Sequence, residues 1–252
     1  MGRGLLRKVV SPAGVLVLWE LSSRRGWVDP LFLPAPTSVF LEIWRLAVGG
    51  SLFVDITASL RRVVMGFLIA VVVSVVIGGL MARSRIADDL FDPLVELIRP
   101  VSPLAMFPLA LLWFGIGDAS KVFLIALACS FPVILNTYAG VRSIDPALIL
   151  AARSLGATPW EIFGRVALRA SLPQIFTGVR LAWGIALIVI IASEMIGSVS
   201  GLGYMVLTAQ QTFRVERVFA GIIIIGVLGF ISDQALRMLQ RRLLPWHRDH
   251  RG

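Results

Sequence analysis

Val63–Ala82 reads VVMGFLIAVVVSVVIGGLMA, a stretch without one charged side chain. A bilayer core about 30 Å thick is crossed by a helix of roughly 20 apolar residues, so this segment is long enough to cross it unaided. Hydropathy predicts further crossings near Lys8–Ser22, Val122–Gly140, Thr177–Gly197 and Val218–Leu239. A less regular one covers Leu90–Gly117, where Pro93, Pro100, Pro103 and Pro108 each remove a backbone donor and tend to bend or break a helix. Irregular backbone at membrane depth survives only against protein or water, which places this segment away from lipid. The expectation is an all-α, polytopic membrane protein of about six transmembrane helices, forming one domain over residues 1–252.

Composition agrees. The 252 residues are 57% hydrophobic and only 15% charged, well outside the norm for soluble domains. The formal charge of +9 is spread between apolar runs instead of forming one basic surface, which argues against a nucleic-acid partner. It fits topology better. Basic residues concentrate in Arg3–Lys8, Arg83–Arg85, Arg142–Arg169 and Arg237–Arg251, which the positive-inside bias assigns to the cytoplasmic side, together with both termini. Arg24, Arg25, Arg61 and Arg62 fall on the other side and go against it. The opening MGRGLLRKVV followed by SPAGVLVLWEL has the basic and apolar regions of a signal peptide but no small-residue cleavage site after Leu21, so it reads as a retained first helix. Cys129 lies inside an apolar run, where a thiol behaves as a small hydrophobe.

Between the first two crossings, Thr37–Ala47 has a helical period, with Phe40, Ile43 and Ala47 on one face and Glu42 and Arg45 on another. It is expected to lie along the membrane surface. A crossing there would carry the basic segment Arg142–Arg169 to the outside. No tandem repeat or low-complexity tract is apparent, and the Pro-containing stretch Trp27–Pro36 is the one candidate linker.

The longest cytoplasmic connection, about residues 142–172, is punctuated as two helices. Asp145 suits an N-cap with Pro146 at the first helical position, and Gly156 suits the left-handed residue that ends a helix. Thr158-Pro159-Trp160-Glu161 then forms a capping box that opens a second helix, expected to stop near Leu172-Pro173. The first helix is nearly bare of charge, with Ala147, Leu148, Ile149, Leu150, Ala151, Ala152 and Leu155 covering more than one face. An apolar patch on such a loop marks either a contact surface for a partner or packing against the protein's own helices.

The run Ala151-Ala152-x-x-x-Gly156, followed by Val166-x-Leu168, resembles the EAA loop of binding-protein-dependent ABC importer permeases. The segments LFLPAPTSV, LIRPVSPLAMFPLALLWFGIGDASK, AARSLGATPWEIF, LPQIFTGVRLAWG, SEMIGSVSGLGYMV and QRRLLPWH are similar to the permeases of the taurine, sulfonate and nitrate group. In two places the chain departs from the pattern: the family's Glu is Leu150, and its first loop proline is Arg169. Pro173 matches the second proline, so a helix break before the fifth crossing is expected to survive. The resemblance implies an importer permease of the bacterial inner membrane that takes a small anion such as taurine, an alkyl sulfonate or nitrate. It implies that Ala151, Ala152, Gly156, Leu168 and Pro173 belong to a cytoplasmic helix-turn-helix coupling loop seated on a separate ATPase subunit, present in two copies. A second copy of the permease, an extracytoplasmic solute-binding protein and membrane lipid complete its partners. ATP and Mg would bind the ATPase, and this chain, which has no Gly-rich phosphate loop ending in Lys-Ser or Lys-Thr, would hold no cofactor.

Two other readings compete. A secondary transporter driven by an ion gradient could use Glu194 as a proton carrier, and the third crossing is interrupted as in such transporters. A membrane-embedded enzyme would need a nucleophile with a base, or a metal cluster, and neither HExxH, GxSxG nor an internal histidine is present. His247 and His250 in HRDH make a weak metal site on a tail where Trp246, Arg241 and Arg242 serve better as membrane anchors. Glu194, with Ser193 beside it, either faces the translocation route or a gate, or makes a structural hydrogen bond at the outer interface. It would repel an anionic substrate, which argues against direct ligation. Asn136 with Pro132 would line a polar path or adjust its helix locally. Glu96 and Arg99 read as a surface pair, Asp233 as interfacial and Arg180 as an anchor.

Overall fold

The computed structural model describes residues 14–244. Residues 14–24 form α1, followed by α2 (Pro36–Val48), α3 (Ser51–Arg83), α4 (Arg85–Ile98), a 3-10 turn (Pro103–Met106), α5 (Phe107–Phe114), α6 (Asp118–Arg142) and α7 (Pro146–Ser154). The short α8 (Pro159–Glu161) runs through a π-helical stretch (Ile162–Ala167) into α9 (Leu168–Gly197), and α10 (Leu202–Gln211) and α11 (Val215–Leu243) close the fold. Among the described residues, four helices are long and apolar enough to cross a membrane, or five if a bent pair counts as one span. The first expected crossing, Lys8–Ser22, lies partly outside the described residues.

The centre is built from α3, α6 and α9. Val63, Phe67 and Ala70 meet Leu124, Ile125, Cys129 and Val133, and both sets meet Val179, Ala182, Trp183, Ala186 and Ile190. Phe67 and Trp183 pack edge to face at 5.0 Å. Small residues bring the backbones together, as expected where lipid gives helices no hydrophobic reason to associate and dispersion must do so. A Cβ added at Gly178 would lie 2.7 Å from both the Pro132 carbonyl and the Asn136 Cβ. Large apolar side chains such as Val72, Leu112 and Ile188 remain exposed around the bundle, where a soluble fold would hide them.

Several expected boundaries are corrected. The helix read at Val63–Ala82 begins at Ser51, because Arg61, Arg62 and Asp118 neutralise one another and let the helix continue past its charges. The segment Leu90–Gly117 is two helices, α4 and the 3-10 turn with α5, meeting at 89°. On α2 the buried side chains are Pro36, Val39 and Leu46, while Phe40 is exposed, so the face turned inward is rotated from the one read in the sequence. Val39, Ile43 and Leu46 pack on α11 and the start of α3, in a cluster that also holds Leu202 and Met205 of α10, and Glu42 accepts a hydrogen bond from Arg217 at 2.9 Å.

The largest correction concerns Pro173. The second loop helix does not stop at Leu172-Pro173, and no break precedes the fifth crossing: Pro159–Gly197 is one continuous run of 39 residues with Pro173 inside α9. Packing on both sides of the proline holds the helix through it. A Cβ at Gly140 would fall 2.8 Å from Gln174 Cβ and 3.2 Å from Ser171 Cβ, and Gln174 Nε2 donates to Asn136 Oδ1 at 3.2 Å. Tertiary contact here outweighs a local preference for breaking.

Candidate functional site: a hairpin at one end, an ion cluster at the other

The loop of residues 142–172 begins as its punctuation predicts. Asp145 Oδ1 accepts from the Ala147 amide at 2.8 Å, with Pro146 at the first position of α7. Gly156 has φ +80°, its amide donates to Arg153 O at 2.9 Å and the Ala157 amide donates to Ala152 O at 3.1 Å. These two bonds are the Schellman pattern, and a β-carbon at that φ would be strained. Thr158 and Glu161 complete the capping box: the Glu161 amide donates to Thr158 Oγ1 and the Thr158 amide to Glu161 Oε2.

No residue of α7 is buried. Ala151 and Leu150 are exposed, Leu155 is 88% exposed, and Ala152 is half-buried. The chain's own helices therefore leave this apolar face uncovered. The hairpin is tied down on its other side, where the Arg83 guanidinium lies 4.1 Å above the Trp160 ring and 5.9 Å from that of Phe163. Ala151, Ala152 and Gly156 thus share one exposed element. Leu168 and Pro173 do not join it: Leu168 packs against the central core, and Pro173 belongs to the long helix.

At the opposite end of the bundle Glu194 is fully buried. Its carboxylate accepts from Arg62 Nη1 at 2.6 Å, from Ser59 Oγ at 2.8 Å and from the Gly203 amide at 3.0 Å. Arg62, also buried, donates from Nε to Asp118 at 2.6 Å and from Nη1 to Ser200 O at 2.8 Å, and Arg61 pairs with the same aspartate. The Gly201 amide donates to Asp55 and the Leu202 amide to Ser59 Oγ, so the α9–α10 turn is held by α3. A carboxylate inside a membrane protein is tolerated when its lone pairs are met this completely. The cluster joins α3, α6, α9 and α10 at a single point.

The other candidates fall elsewhere. Ser193 is buried, but its hydroxyl donates to Ile190 O within its own helix, at 2.9 Å. Asn136 donates to Pro132 O at 2.8 Å and accepts from Gln174, which joins α6 to α9. Arg180 and Arg237 both donate to Asp233, at 3.3 and 2.7 Å. Glu96 and Arg99 approach to 3.9 Å on the surface. His247, His250 and Trp246 lie outside the described residues, among which no cluster of three or more metal-ligating side chains occurs. Arg62, Ser59 and Asp118 were missed as site residues because Glu194 lies 132 residues from Arg62 in the chain. The available signal was that Arg61 and Arg62 sat on the side that the positive-inside bias disfavours.

A bundle of membrane-length helices with an uncovered apolar hairpin at one end has the architecture of a transport permease. Residues 63–245 match the family described as the binding-protein-dependent transport system inner membrane component, and the chain belongs to it. It is 37% identical over 249 residues to the putative aliphatic sulfonates transport permease protein SsuC of Bacillus subtilis, covering 99% of this chain and 90% of that one. It is 36% identical to the taurine transport system permease protein TauC of Escherichia coli, covering 98% and 92%. The bicarbonate transport system permease protein CmpB of Synechococcus elongatus is 32% identical, covering 96% and 90%. Among solved structures, an amino acid ABC transporter shares the fold with a TM-score of 0.57 at 22% identity, over 85% of this chain and 99% of that one. The MetNI methionine ABC transporter in an inward-facing conformation does so with 0.58 at 18%, over 73% and 94%.

The chain is the membrane permease subunit of an ATP-binding-cassette importer and is a transport component, not an enzyme. Membership of this family implies an inner-membrane location, a separate ATP-binding partner and a solute-binding protein.

Proposed function

We propose that this permease, as one transmembrane domain, forms with a second copy of itself the path for a small alkyl sulfonate, taurine leading. Two ATPase subunits drive it from the cytoplasmic side, where both termini lie. The relatives whose names mention taurine and aliphatic sulfonates support that substrate class. The hairpin of Ala151, Ala152 and Gly156 is the handle that the ATPase grips, and the Arg62–Glu194 cluster is the latch closing the far end between cycles. The observation that carries this reading is that a tightly capped, charge-poor helix leaves its apolar side chains open while its other flank is fastened by Arg83.

Co-expression with the neighbouring ATPase tests it. The two should co-purify, and Gly156→Pro should abolish assembly, since proline fixes φ near about −65° where the hairpin needs +80°. Absence of a complex for the wild type, or an undiminished complex for the variant, overturns the handle.

A further inference from the structure

Beside the latch lies a cavity of about 390 Å³ whose wall includes Arg62, Asp118, Lys121, Ser198, Tyr204 and Thr208. Lys121 is 2% exposed, and its ammonium donates to Gly117 O at 2.8 Å and Gly197 O at 2.7 Å. An ammonium carries three donors, so these two carbonyls leave one hydrogen without a protein acceptor among the described residues. Among the described residues no carboxylate lies within ion-pair distance of it; Asp118 and Glu194 act on it only at longer range, since Arg61 and Arg62 share Asp118 and Arg62 also holds Glu194. Ser198 lines the same wall, and its Oγ, turned away from solvent, has no hydrogen-bond partner among the described residues. A buried ammonium that reaches its nearest carboxylates only at longer range, on the same wall as an unmet hydroxyl, is costly in an empty protein and suited to an anionic head group. Ile116, Val199 and Leu207 supply an apolar wall for a short alkyl part.

We infer that this cavity is a docking station for a small alkyl sulfonate, its head group held by Lys121 and, once its hydroxyl turns toward the cavity, by Ser198, placed where the arriving sulfonate competes with Asp118 for Arg62 and loosens the latch. Glu194 does not oppose this, because its charge is already taken up by Arg62, Ser59 and Gly203. The inference deepens the substrate class given above and rests on it.

Taurine titrated into the permease–ATPase complex in nanodiscs, without the solute-binding protein and with choline as the control solute, provides the test. The wild type should bind taurine saturably in the millimolar range. Lys121→Met should weaken binding roughly tenfold through loss of a charge-assisted bond, and Ser198→Val, which leaves both carbonyl contacts of Lys121 intact, roughly threefold. Should Lys121→Met fail to assemble with the ATPase, Ser198→Val decides. Lack of saturable binding by the wild type, or wild-type affinity in the Ser198 variant, overturns the site. Import into proteoliposomes supplied with the binding protein separates the two levels of the reading. Taurine import with no taurine binding by the permease complex sinks the station alone, whereas import of some other solute and of no sulfonate sinks the substrate class beneath it.

Discussion

Replacing Glu194 by Leu should destabilise the assembled permease and unfasten its far end. The carboxylate is fully buried and accepts from a guanidinium, a hydroxyl and a backbone amide, so its removal leaves three buried donors to find new acceptors. Removing one partner of a buried pair costs about 3–5 kcal/mol, because the surviving charge stays out of water. Arg62 keeps Asp118, whose side chain is 35% exposed and shared with Arg61, so the lower end of that range applies. For a chain of this size about 3 kcal/mol lowers the melting temperature by roughly 6–12 °C. The assay is thermal unfolding of the purified complex, followed by size-exclusion fluorescence, alongside ATP hydrolysis without the binding protein. A latch adds a second signature. Glu194→Leu combined with Arg62→Met replaces the pair by apolar groups of similar volume and should regain much of the lost stability, yet the idle ATPase rate should stay raised. If the single variant melts with the wild type, the buried pair is not holding the helices together. If the double variant regains both stability and low idle turnover, the cluster is structural and not a latch.

Gly178→Ala should cost about 1–3 kcal/mol, read as a drop in melting temperature, since its methyl would lie 2.7 Å from the Pro132 carbonyl. Gly184→Ala on the same helix meets nothing within 4 Å and should be neutral or stabilising by about 0.5–1 kcal/mol, so equal losses at the two sites would contradict the packing described. Pro173→Ala should leave ATP-driven import intact, because the helix already runs through that position; a collapse of import would reinstate a functional break there. Arg83→Ala should loosen the hairpin by about 0.5–2 kcal/mol, seen as faster amide exchange over residues 146–161 with little change in the bundle, and unaltered exchange would dismiss the guanidinium as a tether.

The lipid-facing character of the fold was readable from Val63–Ala82 because long apolar runs have few alternatives to a bilayer, and Asp145, Gly156 and Thr158 mark the hairpin since caps are local chemistry. What stayed hidden depends on distance in the chain. The first three turns of α3, with Asp55, Arg61 and Arg62, look like a loop to any hydropathy window. They become helix only because Glu194, Asp118 and the α9–α10 turn arrive from elsewhere to meet their charges. Pro173 taught the converse: a residue read locally as a stop is overruled by Asn136 and Gln174 across the α6–α9 contact. Glu194 was recognised as an expensive residue, but nothing in SEMIG names its partner.

The 39-residue run from Pro159 to Gly197 gives the molecule an unusual economy of parts. At about 1.5 Å per residue it is close to 60 Å long, and it carries Trp160 at one extremity and Glu194 near the other. On the reading proposed here, motor and lock are two ends of one stiff lever, so no relay of side chains has to pass the message between them. Single substitutions along its middle should then leave the two ends synchronised, whereas a flexible insertion there should let the motor idle while the lock stays shut.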